Sequence, residues 1–172
     1  MKEVILQKDE FRIRATDIND AGLVLSYIKK IADYEKLSDL VVADVDDIKR
    51  SIFEKKQAEV VIAEVDGNPI GFMLYFFSYS TFWGRANLYL EDLFIDEAYR
   101  HQGYGKLMFK ALAKIAVKNE CKRIDWMCLD WNQKSIEFYK SLGAKPLNEW
   151  ITFRLEDQEI NKLIKYKKDN LV

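Results

Sequence analysis

Residues 91–106, EDLFIDEAYRHQGYGK, run from an apolar strand pattern through Arg100-x-x-Gly103-x-Gly105 directly into a helical pattern. Glycines at that junction weaken the helix start and cost backbone entropy, so the turn has to serve something that approaches the backbone closely. A helix beginning there presents unpaired amides and the positive end of its dipole, which suits an anion such as a pyrophosphate held by residues 101–106. A dinucleotide fingerprint is excluded because Met108 stands where its third glycine belongs, and a nucleotide P-loop because Arg100 and Leu107 break it at two positions. A glycine turn without a ligand is the competing reading. Against it stand Arg100, His101, Gln102 and Lys106, which ring the glycines with the donors and charge an anion needs.

The flanking pattern predicts the rest of the architecture. Phe11–Arg14 alternates as a first strand, and Ala21, Val24, Leu25, Ile28, Ile31 and Ala32 form a helical stripe within residues 17–35. A second helix is expected over residues 44–55. Strands are expected over 58–65, 70–79 and 87–95, the first two joined by the hairpin signal Asp66-Gly67-Asn68-Pro69. After residue 100 the order becomes helix (103–119), strand (123–129), helix (132–142, closed by Gly143), strand (150–155), then a helical tail from Glu156. This is an α/β (α+β) chain whose mixed antiparallel and parallel sheet is flanked by helices, expected as a single domain over residues 1–172.

Composition excludes several classes. Lys+Arg 27 against Asp+Glu 28 leaves a formal charge of -1, so no basic field argues for nucleic acid. Cys121 and Cys128 match no zinc or redox spacing, and His101 is the one histidine, so no metal is expected. The N-terminal residues are too charged for a signal peptide and no apolar run approaches a membrane span, which predicts a cytoplasmic protein.

Arg100-His101-Gln102-Gly103-Tyr104-Gly105 resembles the acetyl-coenzyme A motif of the GNAT N-acetyltransferases, and the resemblance extends over residues 11–155. Tyr34-Glu35, Tyr89-Leu90-Glu91-Asp92 and Trp131-Asn132-x-x-Ser135-Ile136-x-Phe138-Tyr139-Lys140 resemble the diamine (spermidine/spermine) acetyltransferases. Tyr79-Ser80-Thr81 and Leu129-Asp130-Trp131-Asn132-Gln133 are more similar to the thialysine N-epsilon-acetyltransferase branch. The resemblance implies a GNAT fold whose sheet splays at the acetyl-CoA site. It implies that Leu93, Phe94 and Ile95 pair with the pantetheine arm while Asn132 and Ser135 touch the coenzyme. His101-Gln102 departs from the small residue common there, which should tune affinity. A homodimer, with residues 140–172 at its interface, is also implied.

The same resemblance assigns the chemistry. An alkylamine with a pKa near 10.4 is a free base in only about one molecule per few thousand at pH 7, so a proton must be removed before attack on a thioester. Glu91 is implied as general base, through water, and the Tyr139 hydroxyl as the acid that protonates the departing thiolate. On pattern alone Glu91 is a solvated edge carboxylate and Tyr139 a core aromatic. Glu35, Glu91 and Asp92, with Tyr34 as an aromatic wall, would select a cation. Neutral Ser80 and Thr81 would favour a substrate with an amino-acid end over a polyamine. On another reading, Tyr34-Glu35 only ends a helix and Ser80-Thr81 only forms a loop. The expected activity is acetyl transfer from acetyl-CoA to a primary amine of a small cationic substrate by direct attack. The alternatives are a non-catalytic CoA-binding sensor and a protein lysine or N-terminal acetyltransferase.

Overall fold

Strand β4 (Asn68–Ser80) organises the molecule, because its apolar residues serve two cores at once. The computed structural model describes residues 2–165. The chain packs as two units, Met1–Asp130 and Trp131–Val172.

In the first unit, β1 (Val4–Lys8), β2 (Phe11–Ala15), β3 (Glu59–Val65), β4, β5 (Arg85–Ile95) and β6 (Ile124–Asp125) form one sheet in sequential order. The β1–β5 pairings are antiparallel, and β5–β6 is parallel. Helix α1 (Ala21–Glu35) and the short α2 (Val45–Ile48), which runs on into a π-helical turn (Lys49–Glu54), cover one face. Helix α3 (Tyr104–Lys118) covers the other.

The alternation expected of half-buried strands is resolved into these two cores. Val61 and Ala63 pack with Met73, Leu88, Leu90 and the Met108, Leu112 and Ile115 stripe of α3. Val60, Ile62 and Phe72 pack with Val24 and Leu25 of α1 and Ile48 and Ile52 beyond it. A two-residue turn with positive φ at Asp66 (50°) and Gly67 (78°) joins β3 to β4, as the hairpin signal predicts. Gly71 has a different reason to be glycine: a side chain there would collide with the Phe94 carbonyl on β5.

Three expectations need correction. Strand β1 is an element the charged N-terminal sequence concealed, since only its Leu6 is buried. Strand β6 spans two residues instead of 123–129; beyond Tyr89–Asp125 it has no ladder with β5. No strand forms over 150–155, where Trp150, Ile151, Phe153 and Leu155 are exposed. Alternation is a property of one segment, whereas a strand needs a neighbour to bond with. The second unit otherwise holds α4 (Gln133–Ser141) and α5 (Asp157–Ile164), with Gly143 at φ 89° just past α4. The part of the predicted tail and interface beyond residue 165 lies outside the described residues.

Candidate functional site

The site begins with a one-residue slip in the β4–β5 ladder. Leu74 pairs with Asp92 but Tyr75 pairs with Leu90, so Glu91 is an extra residue on β5. A bulge of this kind reverses which face each later residue takes. Before it, Leu88 and Leu90 face α3; after it, Leu93 and Ile95 do so, while Phe94 joins the α1 core. Asp92, opposite Leu74, is thereby turned to the α1 side, where Glu35 ends that helix.

Three carboxylates therefore act on one another. Burial, then the charges of Glu91 and Glu35, push the Asp92 carboxyl up to about 7. Burial alone raises Glu35. Burial and then Glu35 raise the Cys128 thiol, which places that residue within electrostatic reach of the cluster; no sequence spacing signals this. Glu91 itself is exposed at the bulge.

The same bulge follows the last β5–β6 pair, Tyr89 with Asp125. Among the described residues, Leu93, Phe94 and Ile95 bond to β4 but have no strand on their other side. That edge can accept an extended chain carrying amides.

The chain next passes through a 3-10 turn (Glu97–Tyr99) into the glycine turn. His101 (φ 64°) and Gly103 (φ 86°) are both left-handed, and Gly103 caps α3. A side chain built at Gly103 would meet nothing within 4 Å, so the space over the turn is open. The Lys106 amide is taken by the Gly103 carbonyl at 3.1 Å. Among the described residues no backbone bond is recorded for the amides of His101, Gln102, Gly103, Tyr104 and Gly105, as expected of a helix start. Open space, unpaired amides and a free strand edge fit the pyrophosphate and amide-bearing arm of coenzyme A.

Not every predicted residue is where its role requires. The Arg100 guanidinium is engaged within the protein: its Nε donates to the Ile95 carbonyl at 2.9 Å and its Cζ lies 5.0 Å from the Tyr34 ring. Gln102 donates to the Ala98 carbonyl at 3.0 Å. Tyr34 thus has its ring against Arg100, so one face of the expected aromatic wall is occupied.

Ser80 is buried and pairs with Arg85 at the far end of the hairpin, with Thr81 exposed beside it. Glu91 lies six positions beyond Arg85, roughly 20 Å of strand at the usual rise. The structure does not bring Ser80 and Thr81 to the carboxylates.

In the second unit, Asn132 caps α4 by accepting the Ser135 amide at 3.3 Å, and Tyr139 lies half-buried on that helix beside Phe138.

Comparison with known proteins is consistent with this geometry. The family model described as "Acetyltransferase (GNAT) family" matches residues 28–144. Thialysine N-epsilon-acetyltransferase of Sus scrofa is 37% identical over 163 residues, covering 88% of this chain and 95% of that protein. L-ornithine N5-acetyltransferase NATA1 of Arabidopsis thaliana is 38% identical over 128 residues, covering 73% of this chain and 52% of that protein. Among solved structures, an integron cassette protein from the mobile metagenome of V. cholerae superposes with a TM-score of 0.76 at 27% identity, covering 92% of this chain and all of that one.

Proposed function

We propose, from the premise that this chain belongs to the GNAT family of acetyltransferases, that it moves an acetyl group from acetyl-CoA to the terminal amine of a small amino acid of the thialysine or ornithine type. The observation that carries this reading is the bulge at Glu91, which sets Asp92 beside the charge of Glu35 where β5 loses its outer partner. The thialysine and ornithine enzymes among the relatives support the substrate class. The whole chain is taken as one acetyltransferase domain, because the family match runs across the boundary between its two units.

Bound acetyl-CoA supplies the activated acetyl thioester. The amides of His101 to Gly105 hold its pyrophosphate, and Leu93–Ile95 bond its arm as an added strand. Asn132 and Ser135 contact the coenzyme from the start of α4, on the strength of the resemblance. Glu35, Glu91 and Asp92 attract the ammonium form of the acceptor. The Glu91–Asp92 pair then takes its proton; a group titrating at about 7 is well matched to that task at neutral pH. Tyr139 supplies a proton to the leaving sulfur, a role supported by its place in the family motif.

A homodimer and a cytoplasmic location belong to the same reading. The exposed apolar side chains of Trp150, Ile151, Phe153 and Leu155 are suited to burial against a second copy. No described helix is long and apolar enough to cross a membrane. Sedimentation as a monomer at micromolar concentration would remove the dimer from the reading.

The decisive experiment is an amine panel (thialysine, ornithine, lysine, putrescine, spermidine and a lysine peptide) with acetyl-CoA, following thiol release. The proposal expects thialysine, whose sulfur lowers the pKa of its terminal amine, and ornithine, whose side chain is one methylene shorter than that of lysine, to lead. Coenzyme binding without thiol release from any amine would make the chain a CoA-binding sensor. Release with the peptide alone would make it a protein acetyltransferase.

A further inference from the structure

Arg100 begins the glycine turn, yet its side chain is spent on the elements that carry the acceptor site. Its Nε donates to the Ile95 carbonyl at 2.9 Å. Its guanidinium carbon lies 5.0 Å from the ring of Tyr34 and 5.2 Å from that of Phe94. Tyr34 adjoins Glu35 at the end of α1, and Phe94 and Ile95 follow Asp92 by two and three residues on β5. One side chain therefore touches both elements that bear the buried-side carboxylates. Its backbone leads directly into His101, whose left-handed φ of 64° starts the cradle.

We propose that Arg100 is a positioning residue that couples coenzyme binding at the glycine turn to recognition of the amine between α1 and β5. This inference rests on the functional reading above and adds the regulation of its site. An occupant of the turn fixes the backbone of residues 100 to 103. The planar guanidinium, held between two rings and one carbonyl, carries that order to Tyr34 and Ile95. Glu35 and Asp92 are then held at the separation that receives an ammonium. The joint does not depend on Arg100 alone for its fold. Asp96, next along the chain from Ile95, accepts from Lys30 Nζ at 2.6 Å and from the Tyr27 hydroxyl at 3.3 Å, which pins α1 to β5 independently.

A direct phosphate ligand and a coupling residue give opposite signatures, because coupling is a ratio of affinities and not an affinity. Calorimetry should compare Arg100→Gln, Arg100→Lys, Tyr34→Leu and the double variant Arg100→Gln/Tyr34→Leu with the unmodified protein. Each is titrated with thialysine alone and with thialysine in saturating CoA. The unmodified protein is expected to bind the amine about tenfold tighter with CoA present, within the usual range for coupled sites. Arg100→Gln should bring that ratio near one with CoA affinity little changed, Arg100→Lys should not restore it, and the double variant should lose no more than either single one.

A fluorine label on Tyr34 (3-fluorotyrosine, its signal identified with Tyr34→Phe) gives a second reading independent of any amine. CoA should shift that signal in the unmodified protein and not in Arg100→Gln. A tenfold loss of CoA affinity in Arg100→Gln with the ratio intact would make Arg100 a phosphate ligand and overturn the proposal. Amine turnover with a ratio of one in the unmodified protein would overturn the coupling and leave the function standing. Failure of CoA to bind at all would overturn both.

Discussion

Asp92 stands opposite Leu74 in the β4–β5 ladder, while the next residue of β4, Tyr75, stands opposite Leu90. That single skipped residue, Glu91, decides which way the acid points. It also lies just past the last β5–β6 pair, so the turn of Asp92 toward α1 and the free strand edge begin at the same place.

Substitution of the two adjacent acids should separate their roles. With a carboxyl at about 7, Asp92 gives the rate a limb that rises through neutrality as it loses its proton. Asp92→Asn should remove that limb and lower kcat/KM by roughly 10²–10⁴. The rise due to the amine's own ionisation would remain in both proteins. Glu91→Gln should lower the rate but keep the limb. Stability provides the sign test. The Asp92 pKa is raised from 3.8, so its contribution is full at low pH and is lost as pH rises through about 7. The change in Tm on making Asp92→Asn should therefore be more favourable at pH 8 than at pH 5.

The glycine turn should fail by backbone. Gly103→Val forces a branched side chain onto a φ of 86° and into the open space above the turn. Gly105→Pro removes one amide of the cradle within the first turn of α3. Both should abolish CoA binding in calorimetry while far-ultraviolet circular dichroism stays close to that of the parent. Unchanged affinity in both variants would refute the cradle.

Gly71→Ala should be costly although it adds one carbon. The new atom meets the Phe94 carbonyl, backbone that cannot swing aside, so a loss of about 1–3 kcal/mol is expected from chemical denaturation. Because Phe94 belongs to the proposed coenzyme edge, CoA affinity should fall with it.

Tyr139→Phe removes a hydroxyl from α4 and little else. Coenzyme binding should persist while turnover drops by roughly 10²–10⁴. Loss of binding with normal turnover per bound complex would assign the residue to packing.

Ser80→Ala and Thr81→Ala test the reach of the substrate. With roughly 20 Å of strand between them and the bulge, a lysine-sized amine held at Asp92 cannot touch them in the same chain. Its kcat/KM should change by less than about twofold, and the spermidine-to-thialysine ratio should hold steady. A tenfold loss for thialysine would show that the hairpin tip reaches an acceptor site after all.

Local signals carried most of the elements. The α1 and α3 stripes, the Asp66-Gly67 turn and the strand-to-helix glycine turn are written in neighbouring residues, and local chemistry was enough to read them. Residues 91–106 likewise announced the passage from strand β5 through the glycine turn into α3. What neighbours along the chain could not show was pairing. Strand β1 carries Val4, Ile5 and Leu6 but buries only Leu6, and it exists because β2 bonds to it, whereas the apolar residues over 150–155 yield no strand. The functional detail divides the same way. The sequence offers Asp92 only as one of three candidate acids; its face is set where the ladder slips at Glu91, and burial with the charges of Glu91 and Glu35 raises it. Arg100 reads as a phosphate ligand until folding brings Tyr34, Phe94 and Ile95 around its guanidinium. Composition and periodicity determine which residues prefer which element. Register, and with it the neighbours that set a charge or occupy a side chain, is decided only when distant segments bond, because hydrogen bonds and electric fields act through space and not along the sequence.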